Sequence, residues 1–251
     1  MKTALVTAGT SGTGRAIAER FAKEGIAVAI TSRDADKAAI AAEEIAAAYG
    51  VICRGYALDQ FEEASILALY NALEADGMLP DALVLNAADL GMGMDALTIS
   101  AQDFARVITT NIVGEFLLIR EAAVRHMIGQ QKGAAVMIGS NTSRRAIRNR
   151  SAYCASKGGL VSLAKALALD FGGYGIRVNA VLPGSIHSER WEALDEDTLA
   201  AKRARVPIGR EAFPADIAEA AYFLASDAAA SISGTELVVD GGVDAQLFPG
   251  V

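Results

Sequence analysis

The strongest constraint on this chain is a rhythm of apolar runs, each of strand length. TALVTA (3–8), IAVAITS (26–32), ICRGYAL (52–58), ALVLNA (82–87), AAVMIGS (134–140), IRVNAVL (176–182) and ELVVD (236–240) recur with helical patterns between them. The runs are near-continuous rather than alternating, the pattern of strands covered on both faces. The intervening segments include GRAIAERFAKEG and the alanine-rich DADKAAIAAEEIAAAYG, which ends in Gly50 as a helix stop. Strand and helix alternating in this way imply a doubly wound α/β fold, a parallel sheet with helices on both sides. No linker, low-complexity stretch or long repeat interrupts the pattern, so 1–251 reads as one domain. The longest region without clear periodicity runs from Pro183 to about Phe213, after the sixth strand, where a parallel sheet presents its binding edge. Residues 184–213 are therefore the expected substrate lid.

Composition narrows the function classes. A chain of 251 residues with 52% hydrophobic content can cover a large core. A net charge of −7 argues against nucleic acid as a partner, because phosphate backbones need a basic field. Small molecules are the expected partners. Two cysteines, Cys53 and Cys154, and two histidines, His126 and His187, suggest neither a disulfide framework nor a metal site. The opening apolar run breaks into glycine and threonine too early for a signal peptide or membrane span, which points to a cytoplasmic protein.

After the first strand comes TAGTSGTGRAIAERF, with Gly9, Ser11, Gly12, Thr13 and Gly14 directly before an amphipathic helix. Such glycines let backbone N–H groups and the helix N-terminus approach a pyrophosphate. A tight turn without a ligand would use the same residues, but the position between first strand and first helix favours a nucleotide site. The second strand ends in Ser32 and Arg33, with Asp34 behind them as the N-cap of the next helix. A basic residue there suits the 2′-phosphate of NADP(H), so NADPH is the expected cofactor and NAD the alternative.

Tyr153 and Lys157, four apart in SAYCASKGGL, lie on one helix face. An ammonium nearby favours the phenolate and brings tyrosine toward use as an acid or base. An ordinary surface pair would have the same spacing, so its companions decide. Ser140 ends the fifth strand, and Asn111 is an amide inside the helical pattern TTNIVGEF.

With these pieces in place the chain resembles the short-chain dehydrogenase/reductase family over essentially its whole length. The matching stretches are the glycine turn, LNAAD, Asn111, Ser140, Tyr153 with Lys157, VNAVLPGSI, VPIGREAFPADIAEAAYFLAS and SGTELVVDGG. The resemblance, which extends to 3-oxoacyl-carrier-protein reductases and related NADP-dependent carbonyl reductases, implies a Rossmann-type sheet of seven strands in the order 3-2-1-4-5-6-7. It also implies a reversible hydride transfer between NADP(H) and a ketone or secondary alcohol. Tyr153 would be the acid/base and Ser140 would bind the substrate oxygen. Lys157 would bind the nicotinamide ribose and hold Tyr153 acidic, while Asn111 would anchor a proton-carrying water. Asn86 and Ala87, Asp59, Pro183, Gly184, Ile186 and Ser188 would contact the cofactor. Asp59 could instead cap a helix starting near Phe61. The sequence departs from the family pattern at Ala8, where glycine is usual, at Thr13, where isoleucine is more usual, and at Leu85–Ala88, which stands for Asn-Asn-Ala-Gly.

Four arginines, Arg144, Arg145, Arg148 and Arg150, crowd the segment before Tyr153. Arg150 could hold an anionic substrate tail as a planar fork; the alternative is solvation or pairing with acids of a neighbouring subunit. His187 and Trp191 are further substrate candidates in the lid. The resemblance also implies a homotetramer or dimer, with the helices of Asn111 and Tyr153 packed on their copies and the DGGVDAQLFPGV tail in support. Two alternatives remain: an NAD-dependent sugar or polyol dehydrogenase, and a nucleotide-binding regulatory protein without turnover.

Overall fold

The computed structural model describes residues 1–93 and 95–247. Seven parallel strands, β1 (Thr3–Val6), β2 (Ala27–Ser32), β3 (Cys53–Ala57), β4 (Ala82–Leu85), β5 (Gly133–Ile138), β6 (Ile176–Pro183) and β7 (Glu236–Val239), form one sheet in the order 3-2-1-4-5-6-7. The expected fold and strand order are both present. The flanking helices are α1 (Gly12–Lys23), α2 (Ala35–Tyr49) and α3 (Glu63–Ala75), then the long α4 (residues 101–130) and α5 (Ser151–Gly172). Two short helices, α6 (Glu189–Glu192) and α7 (Glu196–Arg203), follow in the segment expected to form the lid, and last comes α8 (Pro214–Ala225).

Why the runs are continuously apolar is visible in the two cores. Leu5, Leu83, Leu85 and Met137 face α3, α4 and α5, whereas their strand neighbours Val6, Val84, Val136 and Ile138 face α1, α2 and α8. Every position of β1, β4 and β5 is buried. A helix layer on each side leaves no polar face to write into the sequence. On α5, Leu160 and Leu167 are buried, while Leu163 and Phe171 are only partly covered.

Local signals act as read. Asp34 caps α2 by accepting from the Asp36 and Lys37 amides at 3.1 Å, and Gly50 ends it at φ +68°. Asp59 does not cap a helix at Phe61: it accepts from the Phe61 amide in a local turn, and α3 begins only at Glu63. Two wide turns, Thr109–Val113 and Ala123–Met127, interrupt α4 with i+5 hydrogen bonds, and Asn111 sits in the first. β1 pairs with both β2 and β4, so the chain reverses its winding there and opens a crevice at the carboxyl ends of the strands.

Candidate active site

The crevice is a cleft of about 500 Å³ lined by Ala8, Thr10, Ser32, Arg33, Asp59, Ala87 and neighbours. Its floor is tied together by the end of β4. The amides of Asn86 and Ala87 donate to Thr7 Oγ1 at 2.9 and 3.0 Å, and Asn86 Nδ2 donates to the carbonyls of Thr7 and Ala8. A side chain at Gly14 would lie 2.0 Å from the Ala8 carbonyl oxygen, so only glycine lets α1 start this close to β1. Gly12, at φ +52°, opens onto free space. The first turn of α1 has no acidic residue, and Ser11 makes no side-chain cap. These features leave a positive helix end over an open cradle, which fits a pyrophosphate.

At the rim, Asp34 is occupied by its cap, and Ser32 Oγ accepts from the Asp34 amide at 3.2 Å. Arg33 is exposed and has no hydrogen bond or ion pair among the described residues. The Arg33 guanidinium is thus available to an anion.

Across the cleft Ser140, two residues beyond the end of β5, lies close enough to Tyr153 for its hydroxyl to favour the ionised phenol. Burial pushes the Tyr153 phenol above its ordinary value, while the Ser140 hydroxyl and the charge of Arg150 oppose that shift. This corrects the expectation that Lys157 brings the phenol down. Lys157, 1% exposed, donates to the Ile138 carbonyl at 2.7 Å, with its nitrogen 5.9 Å from the Tyr153 ring centre. Burial lowers the Lys157 pKa, and Glu115 opposes it.

Asn111 is fully buried and fully used. Its Nδ2 donates to the Asp89 carbonyl at 2.8 Å and to Ser156 Oγ at 3.0 Å, and its Oδ1 accepts from the Asp89 amide. The amide locks α4 to α5 and to the β4 loop; its side-chain nitrogen is committed to these partners rather than to a water. One helical turn on, Glu115 is fully buried with no hydrogen-bond partner on either oxygen. Burial pushes this carboxyl up to about 8, with Lys157 pulling it back. The sequence reading passed over this acid, although a lone carboxylate within IVGEFLLI was a usable signal.

The segment 184–213, the expected lid, is pinned by polar contacts. Ile186 bridges to Ala212, and the His187 amide donates to the Ala212 carbonyl at 2.7 Å. His187 Nδ1 meets Glu211 at 2.9 Å, and its ring stacks on Phe213. Arg203 grips the Glu211 carboxylate with two hydrogen bonds of 2.8 Å; this grip, with His187 helping, holds the acid down at about 2. Trp191 is 8% exposed and packs beneath Lys202, which makes it part of the lid's own core. Pro183 ends β6, the Gly184 amide joins Val239, and Ser188 starts α6 without a side-chain cap.

The arginine cluster divides. Arg144 and Arg145 pair with Glu236 and Asp244 of the same chain, so a neighbouring subunit is not needed to satisfy them. Arg148 is exposed. Arg150 donates to the Leu90 carbonyl at 2.9 Å and contacts Met92 Sδ, on the β4 side of the cleft.

The family model described as enoyl-(acyl carrier protein) reductase matches residues 7–244. D-threitol dehydrogenase of Mycolicibacterium smegmatis is 38% identical over 245 residues, 96% of this chain and 92% of that one. The chain is a short-chain dehydrogenase/reductase. 2-(S)-hydroxypropyl-CoM dehydrogenase 3 of Xanthobacter autotrophicus is 37% identical over 96% of this chain and 95% of its own. A solved structure described as an NAD(P)-dependent gluconate 5-dehydrogenase from Beutenbergia cavernae, with NADP bound at low occupancy, superposes with a TM-score of 0.89 at 36% identity. It covers 98% of this chain and 97% of that one. As a member of this family the protein is an oxidoreductase of secondary alcohols and ketones that uses a nicotinamide cofactor and a small-molecule substrate. Among the described residues no helix is long and apolar enough to cross a membrane.

Proposed function

We propose that this short-chain dehydrogenase/reductase transfers hydride reversibly between NADP(H) and the ketone or secondary alcohol of a small polar substrate, with Tyr153 as acid/base. The observation that carries the reading is the grouping of Ser140, Tyr153 and buried Lys157 at the carboxyl edge of β5, with the Lys157 nitrogen 5.9 Å from the Tyr153 ring centre, across the cleft from the glycine cradle. The bound nicotinamide supplies or accepts the hydride. Gly9, Ser11, Gly12, Thr13 and Gly14 would hold its pyrophosphate; Asp59, Asn86 and Ala87 would line the adenosine side. Pro183, Gly184, Ile186 and Ser188 would line the nicotinamide side under a lid of residues 184–213 within a single domain. Tyr153 gives its hydroxyl proton to the substrate oxygen in reduction and takes one in oxidation, while Ser140 orients that oxygen. Lys157 keeps a cation beneath the phenol, and Asn111 fixes α4 against α5 so that both stay in place.

Free Arg33, beside an aspartate already committed to its cap, supports NADP over NAD. Arg150 at the cleft favours a substrate with an anionic tail; gluconate in the name of one relative agrees, and His187 and Trp191 would act by shaping the lid. A second reading, an NAD-dependent polyol dehydrogenase, is favoured by the threitol relative. Exposed Val113, Val124 and Leu169 on α4 and α5 support a homotetramer or dimer built on these helices, and no sequence feature calls for a compartment other than the cytoplasm. The part of the expected tetramer tail at 248–251 lies outside the described residues.

The decisive test is turnover of NADPH and NADH against a panel of neutral and anionic carbonyl compounds. Tyr153→Phe, checked for folding by circular dichroism, should lower kcat by at least about 100-fold. Retained turnover in that variant would end the proposal. Arg150→Ala should raise KM for anionic compounds selectively; an equal effect on neutral ones removes the anion site.

A further inference from the structure

Asn111 and Glu115 are one helical turn apart on α4, Asn111 inside the wide turn at Thr109–Val113 and Glu115 just beyond it. The amide is saturated with partners, whereas the carboxyl has none, although both are shut off from solvent. A buried carboxylate without a hydrogen bond or a cation in contact is among the most unfavourable arrangements a core can hold. The group resolves this by keeping its proton, and burial raises its pKa accordingly. From α5 it is faced by Lys157 and Tyr153, each of which feels its charge. α3 brings Tyr70, whose hydroxyl is taken by the Leu118 carbonyl, and Glu63, which sits with Arg120 at the surface. β4, the strand beneath, carries no titratable group. No ion pair joins Glu115 to Lys157. The two groups are a proton-rich acid and a buried ammonium, near enough for each to feel the other's charge yet not joined in an ion pair.

We propose that Glu115 is the proton reserve of the active site and acts through Lys157. The inference rests on the assignment of Tyr153 as acid/base. In reduction the Tyr153 O–H bond breaks as its proton forms the alcohol O–H. The phenolate then takes a proton from the Lys157 ammonium, and the Lys157 amine takes one from the Glu115 carboxyl across a bridging water. The Glu115 carboxylate finally regains its proton from solvent between turnovers, as the surrounding core opens locally. In alcohol oxidation each transfer runs in reverse. Only protons move along this line, and the net uptake is the single proton that reduction requires. A carboxyl that is protonated near neutral pH beside a lysine whose own pKa burial lowers can lend and recover a proton, which a carboxylate of ordinary acidity cannot do.

The test has two parts. Infrared difference spectra of native protein against Glu115→Gln, without cofactor, read the carboxyl directly. The acid C=O band should persist at pH 7 and vanish as pH rises past about 8. In Lys157→Met its midpoint should move to higher pH, because the neighbouring cation is gone. An ionised carboxyl at pH 6, or a midpoint indifferent to Lys157, overturns the proposal even if Tyr153 proves catalytic. In turnover of the panel's best carbonyl compound with NADPH, Glu115→Gln should lower kcat about 10-fold. It should also enlarge the solvent isotope effect and change the pH profile, with KM for NADPH unchanged, while Glu115→Asp recovers part of the rate. Native kcat and an unaltered pH profile in Glu115→Gln would show a purely structural acid. Loss of the Tyr153→Phe effect would instead remove the assignment on which the inference stands.

Discussion

Glu115 and Glu211 are both closed to solvent, 0% and 1% exposed, yet they hold their protons in opposite ways. Glu211 sits in the lid with Arg203 gripping both oxygens and His187 alongside, and its acidity is pressed down to about 2. Glu115 sits behind the catalytic candidates with no hydrogen bond, and its acidity is relaxed up to about 8. Surface exposure is equal, so loss of contact with water alone does not set the charge of an acid. Glu115 is enclosed by core on every side, whereas Glu211 lies near the surface with donors within reach. The lid uses its acid as a fixed anion that organises three segments, whereas the region behind Lys157 keeps an acid that can change state.

The largest expected effect comes from breaking the Glu115 side of this contrast. A carboxyl whose folded pKa is raised favours the folded state in its protonated form, so stability is unaffected below about 4.5. It then declines as pH rises from there through about 8. Glu115→Gln should remove that decline. In urea unfolding, native and variant should agree at pH 5 and diverge by on the order of 3 kcal/mol in favour of the variant by pH 9. Parallel curves across that range would mean that the acid is ionised throughout, and the contrast with Glu211 would vanish.

Glu211 carries the opposite sign. Its folded pKa is lowered, so its contribution is complete above about 4.5 and fades as pH falls toward about 2. Glu211→Gln should destabilise by about 2 kcal/mol at pH 7, a smaller figure than for a fully buried ion pair because Arg203 is 41% exposed and can return to water. The deficit should shrink in acid, where the native carboxylate is itself protonated. A constant deficit from pH 7 to pH 3 would show that packing, not charge, holds the lid.

The cations repeat the comparison. Arg144 is engaged by Glu236 and Asp244, while Arg33 stands at the cleft with no partner among the described residues. An unengaged guanidinium can spend its full attraction on a ligand. Arg33→Ala should weaken NADPH binding about 10-fold, or about 1.4 kcal/mol, and leave NADH unchanged. Fluorescence titration of both nucleotides checks it; equal losses would assign the cofactor rim to NAD.

How far these features could be read in advance depends on their range along the chain. The strands, their order, the Asp34 cap and the grouping of Ser140, Tyr153 and Lys157 follow from local pattern and from resemblance. The partners of Arg144 and Arg145 lie some 90 to 100 positions away, at Glu236 and Asp244, and nothing in the local pattern couples them. The same is true of the Glu211 clamp, which needs α7 folded back onto the strand-like bridge at Ile186. Glu115 was legible as an odd letter in an apolar helix, but its charge state depends on donors that are absent, which no motif records. Asn111 stands out in the sequence as an amide inside a helical pattern, but its partners Asp89 and Ser156 become apparent only when α4 meets α5.

The smallest effect concerns Ala8, where this chain departs from the glycine usual in its family. Its φ of +51° explains the family's choice, because a Cβ in the left-handed region crowds the following carbonyl. Ala8 is held there from outside: its amide donates to Thr31 Oγ1 at 3.2 Å, and its carbonyl accepts from Asn86 Nδ2 at 3.4 Å. Ala8→Gly relieves the strain but also gives the unfolded chain more freedom, so the two terms partly cancel. A net gain of about 0.5 kcal/mol is expected, read as a small rise in Tm, with NADPH affinity little changed because the cradle's hydrogen bonds all come from backbone and from neighbouring residues. A loss of stability would mean that the alanine methyl packs usefully against the turn, and that the cradle, like the lid, is held by side-chain contacts rather than by backbone geometry.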